Sequence, residues 1–338
     1  NQSRRQRQMC IRDSLRTRRE FTDYEFDGAT LNYLIDVLSY NTYYSSFNAN
    51  MAMNEAFLPS STVRDNVVNI AKLLNYVPRS INASQATVNL TVQTIQSSGS
   101  YPSTVTLKKG AVATGGNYIW NVLSDTTAEV NSTTGLATFS NLVLREGSIV
   151  NFQYVVNTFA TQNYKVPSED ADINTLTVRV KANESSTTSD LYNLVDTITG
   201  LTATTRVYFL SEGEDMRYEV KFGDDSVGRA LKDGEVVMFE YLVTSGGDAN
   251  DVDNFSYVGR MTDTLSQSYS PAAVTLTKVA RSQNGSAAET IESIKYNAPR
   301  FYSSQYRAVT AGDYAILTKK VYPNACLLYT SDAADDSG

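Results

Sequence analysis

The chain has 338 residues, with 29 Lys and Arg against 36 Asp and Glu, no His, two Cys and a net charge of −7. That length accommodates two or three domains with a sizeable core. The negative balance argues against nucleic-acid binding as the main task, and the missing His removes Ser-His-Asp triads and His metal sites. Tyr appears 22 times against a single Trp, and charged residues make up only 19%, which is the profile of a β-rich protein with many polar contacts. No run of about 18 apolar residues exists to span a membrane as a helix.

The ends look foreign. Residues 4–14 (RRQRQMCIRDS) and 326–336 (CLLYTSDAADD) resemble translated sequencing-adapter sequence. They are set aside as an expression scar is, which reads the chain as an internal piece of a longer protein. Both cysteines, Cys10 and Cys326, fall inside these segments. Disulfides, thiolate nucleophiles and cysteine-zinc sites therefore drop out of the reading.

The expected organisation is α+β and mostly β. It consists of a foreign-looking or disordered stretch over 1–23, a helical hairpin over 24–80, β-rich domains over 85–181 and 190–286, a helical junction over 287–323 and a foreign-looking tail over 324–338. The first helix is predicted to start near Gly28 to Thr30 and to end before Pro59, a length of roughly 40 Å. At about 100° per residue it is apolar on two opposite sides. Leu31, Leu34, Ile35, Leu38, Thr42, Ala49, Ala52, Met53 and Ala56 share one face, and Tyr33, Tyr40, Tyr44, Phe47 and Met51 the other. A helix on the rim of a globular domain needs one apolar stripe; two imply that something covers both sides. Leu31, Leu38, Tyr40, Tyr44, Phe47 and Met51 are accordingly the candidate interaction residues. The second helix is expected to begin at a capping box, Thr62 with Asp65, and to end by Pro78.

From Ala86 the period changes from helical to two. Strands are predicted at 86–95, 104–108, 117–123, 137–144, 150–159 and 172–180, separated by turn-rich segments. Short strands at this spacing suggest a sandwich or barrel-like domain. The polar stretch 183–189 (NESSTTS) reads as a linker, and 191–198 as a short helix. Further strands are predicted at 206–212, 217–223, 235–244 and 273–279, then helices over 287–297 and 310–321, the latter capped by Thr310 with Asp313.

Two acidic clusters are the obvious candidates for metal or acid-base chemistry. In FGDDSVG (222–228) the adjacent Asp224 and Asp225 make a poor carboxylate pair, and a turn held by their side chains accounts for them better. Asp248, Asn250, Asp251 and Asp253 lack the mid-loop Gly and closing Glu of a calcium loop and read as a solvated loop. No phosphate-cradling glycine motif is present. The residues call for no catalytic group, metal or cofactor. Tyrosines 40, 43, 44, 302 and 306 suit either stacking on sugars or bases or contact at protein interfaces.

Four blocks carry a family resemblance. They are 34–80 (LIDVLSYNTYYSSFNANMAMNEAFLPSSTVRDNVVNIAKLLNYVPRS), 220–250 (VKFGDDSVGRALKDGEVVMFEYLVTSGGDAN), 288–317 (AETIESIKYNAPRFYSSQYRAVTAGDYAIL) and 318–323 (TKKVYP). In this order they resemble the T4-like bacteriophage baseplate wedge proteins of the baseplate J-like family. The resemblance implies a structural, non-enzymatic virion protein, located in the tail baseplate and assembled in the host bacterial cytoplasm. It implies an inner baseplate ring that links neighbouring wedges, changes shape on sheath contraction and lets the tail tube through for DNA delivery. The implied partners are other wedge subunits and the protein itself, with no direct nucleic acid, membrane or small-molecule substrate. Family chains continue past the last block into a region that contributes to self-association.

The segment 297–310 is expected to be a structural junction in which Arg300 and Arg307 hydrogen-bond local carbonyls. Two other readings compete: a β-rich adhesin or carbohydrate-binding module, which requires an exposed Tyr and Trp cleft, and the equivalent baseplate subunit of a non-phage contractile injection system.

Overall fold

A computed structural model describes residues 6, 9–11, 13–15, 17–18, 30–97 and 99–321, without side-chain detail at 30–32 and 319–321. The foreign-looking tail and most of the first 29 residues lie outside this set. The chain divides into two units, residues 1–70 and 71–338. The protein is mostly β, with helices at its beginning and end, as the sequence pattern predicts.

In the first unit, helix α1 spans Thr30–Glu55, and α2 spans Arg64–Leu73 and crosses the boundary. The expected capping box of α2 does not form. The Glu55 carboxylate, at the end of α1, caps it instead. It accepts hydrogen bonds from the Thr62 and Val63 backbone N–H groups at 2.8 and 3.2 Å, from the Ser61 and Thr62 hydroxyls at 2.6 Å each, and from Asn66 Nδ2 at 2.9 Å. A negative charge at a helix N-terminus is favoured by both the free N–H groups and the helix dipole. These bonds, that from Asn66 foremost, hold the Glu55 carboxyl well below the usual carboxylate range.

The second unit contains three sheets. The first runs, in spatial order, β14 (Ser256–Tyr257), β3 (Gly110–Gly115), β4 (Tyr118–Val122), β6 (Leu136–Glu146), β1 (Gln85–Gln93) and β17 (Val274–Gln283). The second runs β7 (Ser148–Val155), β13 (Val236–Val243), β9 (Ala171–Lys181), β10 (Ser189–Leu194), β11 (Val207–Glu212), β12 (Tyr218–Phe222) and β8 (Tyr164–Lys165). The small third sheet is β16 (Ser268–Tyr269), β15 (Met261–Asp263), β2 (Thr104–Leu107) and β5 (Thr126–Glu129). In β1 every second residue is buried, and Val88, Leu90 and Val92 are fully inside.

Strand pairing runs across the 181–190 stretch that separates the two expected β domains. The polar stretch after Lys181 is the connection of a hairpin, in which β9 and β10 pair antiparallel with Lys181 opposite Ser189. The segment 191–198, expected to be helical, opens as strand β10, because Tyr192 is buried while its neighbours are exposed. Two cores result. One is built from β1 to β6 and from residues 249–274, around Trp120, Leu90 and Phe139. The other is built from 156–241, around Phe239, Tyr192 and Tyr218. The second is thus inserted into the first. A composition shift cannot reveal this, since both cores use the same alternation and differ only in which strands close the sheet.

The chain passes from one core to the other at Gly147, whose φ is +130°, and a Cβ there would lie 2.3 Å from the Val243 carbonyl oxygen. Only glycine fits. Polar groups stitch the junction. Buried Glu146 accepts from Thr244 Oγ1 at 2.5 Å and the Ser245 N–H at 3.0 Å. Buried Asp172 accepts from the Ala83 and Asn174 N–H groups, with Arg145 at 3.8 Å. Burial pushes the Asp172 carboxyl up, against the opposing pull of these donors. Ser84 Oγ donates within reach of both the Gly246 carbonyl and Asn250 Oδ1, and the Asn250 amide exchanges two hydrogen bonds with Gly285.

Helix α3 spans Ile291–Ser304 and is capped by Thr290; α4 spans Ala311–Val321. The predicted Thr310–Asp313 box forms, with the Asp313 N–H donating to Thr310 Oγ1 at 3.2 Å and the Thr310 N–H to Asp313 Oδ2 at 2.8 Å.

Candidate interaction surface

Helix α1 carries only two side chains charged at neutral pH, Asp36 and Glu55, in 26 residues. The described side chains of both predicted stripes are largely exposed. Leu38 on one face is 59% exposed and Phe47 on the other 54%, with Leu34, Met53, Tyr33, Tyr40, Tyr44 and Met51 similarly open. Among the described side chains of the helix, Ile35 and Ser39 alone are buried. Leu31 has its side chain outside the described residues. Tyr40 and Tyr44, one turn apart, stack with ring centroids 4.4 Å apart, and the Tyr40 hydroxyl donates to that of Tyr44 at 2.8 Å. The edge of Tyr43 meets the Tyr44 ring at 5.6 Å. The three rings form a stiff aromatic ridge that loses little side-chain entropy when covered. A row of exposed Leu, Met, Phe and Tyr on one helix is far more apolar surface than a monomeric protein usually leaves in water.

The two predicted arginines lie elsewhere, on and just after α3. The Arg300 guanidinium sits 3.5 Å above the Tyr296 ring and donates to the Tyr296 carbonyl at 2.8 Å. Arg307 donates to the Gln305 side-chain oxygen at 2.9 Å, and its N–H to the Ser304 carbonyl. Its neighbours Gln305 and Tyr306 take positive φ values of 47° and 59° and end α3. Buried Phe301 is packed between the rings of Tyr76 and Tyr306. Glu289, which sequence reasoning passed over, holds this junction. Its carboxylate accepts from Tyr76 Oη at 2.9 Å, the Arg79 N–H at 3.1 Å, Ser293 Oγ at 2.6 Å and Asn297 Nδ2 at 2.8 Å. Burial, then the Glu289 charge, pushes the Tyr76 hydroxyl far above its ordinary value.

Beside this clasp is an open cavity of about 1180 Å³ lined in part by Tyr76, Tyr192, Tyr208, Tyr218, Tyr296 and Phe301. Its hydroxyls are mostly committed internally. Tyr76 bonds Glu289, Tyr192 is held by Arg229, and Tyr218 donates to the Pro78 carbonyl at 2.9 Å. Burial alone pushes Tyr208 up to about 12. Trp120 is fully buried, donates to the Gly115 carbonyl and meets Phe255 edge-on.

The 224–225 cluster is a turn, as the spacing predicts, whereas the 248–253 segment, expected to be a solvated loop, includes a 3-10 turn over Gly246–Ala249 and the hydrogen-bonded Asn250. Asp224 Oδ1 accepts from the Ser226 and Val227 N–H groups at 2.9 Å each, which lowers its carboxyl, and Asp225 Oδ1 accepts from the Ala230 N–H at 2.8 Å. Asp251 pairs with Arg281 at 3.3 Å, and Asp253 with Lys278. Among the described residues no group of three or more Cys, Asp or Glu is placed to hold a metal ion, and no helix is long and apolar enough to cross a membrane.

Residues 5–76 match the family described as baseplate wedge protein gp6-like, helical domain. That range takes in α1 and α2, and also residues 5–14 of the end set aside above. The chain is 26% identical over 318 residues to baseplate wedge protein gp6 of Enterobacteria phage T4, covering 87% of this chain and 46% of that protein. The chain therefore spans about half the length of the curated relative it matches. Both comparisons bear out the resemblance read from the four sequence blocks: this chain is similar, over most of its length, to a T4-like bacteriophage baseplate wedge protein.

Proposed function

We propose that this chain is a structural part of the baseplate wedge of a contractile-tailed phage, and that its work is assembly rather than catalysis. In this reading it belongs to the virion tail, is assembled in the host cytoplasm, joins the inner baseplate ring and links neighbouring wedges. The ring changes shape on sheath contraction, when DNA is delivered. Its partners are other wedge subunits and further copies of itself. The observation that carries the reading is α1, whose two apolar faces both stand open within the segment that matches the wedge helical domain.

The test is to replace Tyr44 and Met51 together by Glu and to mix the variant with the other wedge subunits of the same phage. Both residues are exposed, so circular dichroism is expected to stay as in the parent. Assembly is expected to weaken at least ~10-fold, as loss of apolar anchors at an interface core does. Unchanged assembly in pull-down and sedimentation overturns the reading of α1. The adhesin alternative gains no support here, since Trp120 is buried and most of the cavity tyrosines are hydrogen-bonded internally.

A further inference from the structure

The second sheet of the large unit ends in an edge strand unlike the other edges. In β7 (SIVNFQYV) no residue is charged and none is proline or glycine. The strand pairs with β13 on one side without a register shift, Ser148 opposite Val243 through Val155 opposite Val236. The Val156 N–H donates to the Glu235 carbonyl on the β13 side. Antiparallel alternation then turns the even residues of β7 toward β13 and the odd ones outward. Two further bonds agree with this phase. The Leu242 N–H is directed at Thr175 on the β9 side of β13, and the outward Val155 carbonyl accepts from Gln162 Nε2 at 3.0 Å. Ile149, Asn151 and Gln153 therefore direct their N–H and C=O groups to the open edge, where among the described residues no further strand pairs with β7.

The other edges are closed or blunted in the ways that deter strand addition. Strands β14, β8 and β16 have two residues each. Strand β17 carries Lys278 and Arg281, and its Ser282 exchanges backbone hydrogen bonds with the 251–252 segment. Strand β5 is four residues long and ends in Glu129. Among these edges β7 alone is long, uncharged and exposed, with Phe152 39% accessible and meeting edge-on the Tyr154 ring that packs against the second core.

We propose that the β7 edge is an interface with a second copy of this chain, formed by antiparallel pairing of β7 with itself about a two-fold axis at Asn151. Self-complementarity selects this occupant. Centring on Asn151 sets Asn151 opposite its own copy, Ile149 opposite Gln153, and Val150 opposite Phe152. The outward groups then form about six backbone hydrogen bonds. On the core side, each Phe152 meets a Val150, an aromatic and β-branched pair of the kind that stabilises sheets. No charge meets its like, whereas β17 pairing with itself would confront its own cations. The seven-stranded sheet would become continuous across the axis, and the exposed half of Phe152 would join the buried layer. Self-association belongs to the function proposed above; the surface that performs it is the new element, and it is separate from α1.

The test uses the full chain in two backgrounds, the parent and the Tyr44→Glu, Met51→Glu variant, so that failure of the α1 reading is seen separately. Sedimentation equilibrium is expected to give a dimer in both backgrounds. Asn151→Lys, which sets two ammonium groups directly opposite, is expected to weaken it at least ~10-fold, and Asn151→Thr to leave it unchanged. With Cys10 and Cys326 replaced by Ser, Asn151→Cys is expected to form a disulfide-linked dimer on mild oxidation and Lys278→Cys is not. A chain that stays monomeric in the α1-variant background, or whose dimer is indifferent to Asn151→Lys and does not cross-link through Asn151→Cys, overturns the proposal. In that case the occupant of the edge is a strand of another protein or none.

Discussion

Removing the Glu289 carboxylate should be the most damaging polar substitution at the junction of residues 76–80 with α3. Glu289 is 3% exposed, and its two oxygens serve four donors, from Tyr76, Arg79, Ser293 and Asn297. A hydrogen bond to a charged group contributes about 1.5–3 kcal/mol, and such bonds in one network do not add. Glu289→Ala also leaves buried donors without an acceptor, so a total loss of about 3–5 kcal/mol is expected. For a unit of this size each kcal/mol moves the melting temperature by ~2–4 °C, which predicts a fall of roughly 6–20 °C by calorimetry. Tyr76→Phe removes one donor and should cost about 1–2 kcal/mol. Because that donor is idle once the carboxylate is gone, Tyr76→Phe added to Glu289→Ala should cost markedly less than it does alone. A melting temperature within ~2 °C of the parent for Glu289→Ala would show that the clasp does not hold the junction. Full additivity of the two changes would show that the pair is not coupled.

Two further outcomes follow from the geometry. The folded carboxyl of Glu55 lies below its unfolded value, so its contribution to the α1–α2 turn is fully present above the ordinary carboxylate range and is lost as pH falls through the folded value. Hydrogen exchange at the Thr62 and Val63 amides should therefore stay slow from neutral pH down to about 5, relative to the intrinsic rate, and quicken only below about 4. Glu55→Gln should speed it across the whole range; equal protection in the variant would remove Glu55 as the cap. Gly285→Ala would place a Cβ 2.1 Å from Ser84 Oγ and 2.3 Å from the Gly246 carbonyl oxygen. The resulting displacement should cost about 1–3 kcal/mol, read as a lower denaturation midpoint, and an unchanged midpoint would show that the stitched junction has slack.

What could be read along the chain was whatever depends on near neighbours. The 3.6-residue period located α1 and both of its stripes. The two-residue period located β1, β2, β4, β6, β7 and β9, and the Thr310–Asp313 spacing foretold the cap of α4. The acidic turns at 224–225 were legible because an Asp side chain reaches only its own next few amides. The errors fell where a partner distant in sequence outvotes local preference. Leu191–Leu194 became a strand because β9 offered an edge to pair with. Thr62 gave up the capping role because the charged Glu55 carboxylate takes both its hydroxyl and its N–H.

The sequence by itself determined most of the helices and strands, the absence of His and the resemblance of the chain to baseplate wedge proteins, all carried by composition, period and ordered blocks of residues. Tertiary structure alone decided that one β core is inserted into the other, that Glu289 is a clasp and that β7 is a bare edge. The physical reason is that alternation specifies that a strand has an inside and an outside, but not which strand lies beside it. Sheet order is set by which closures bury the most surface and leave the fewest backbone groups unpaired, and that comparison exists only once the whole chain has folded.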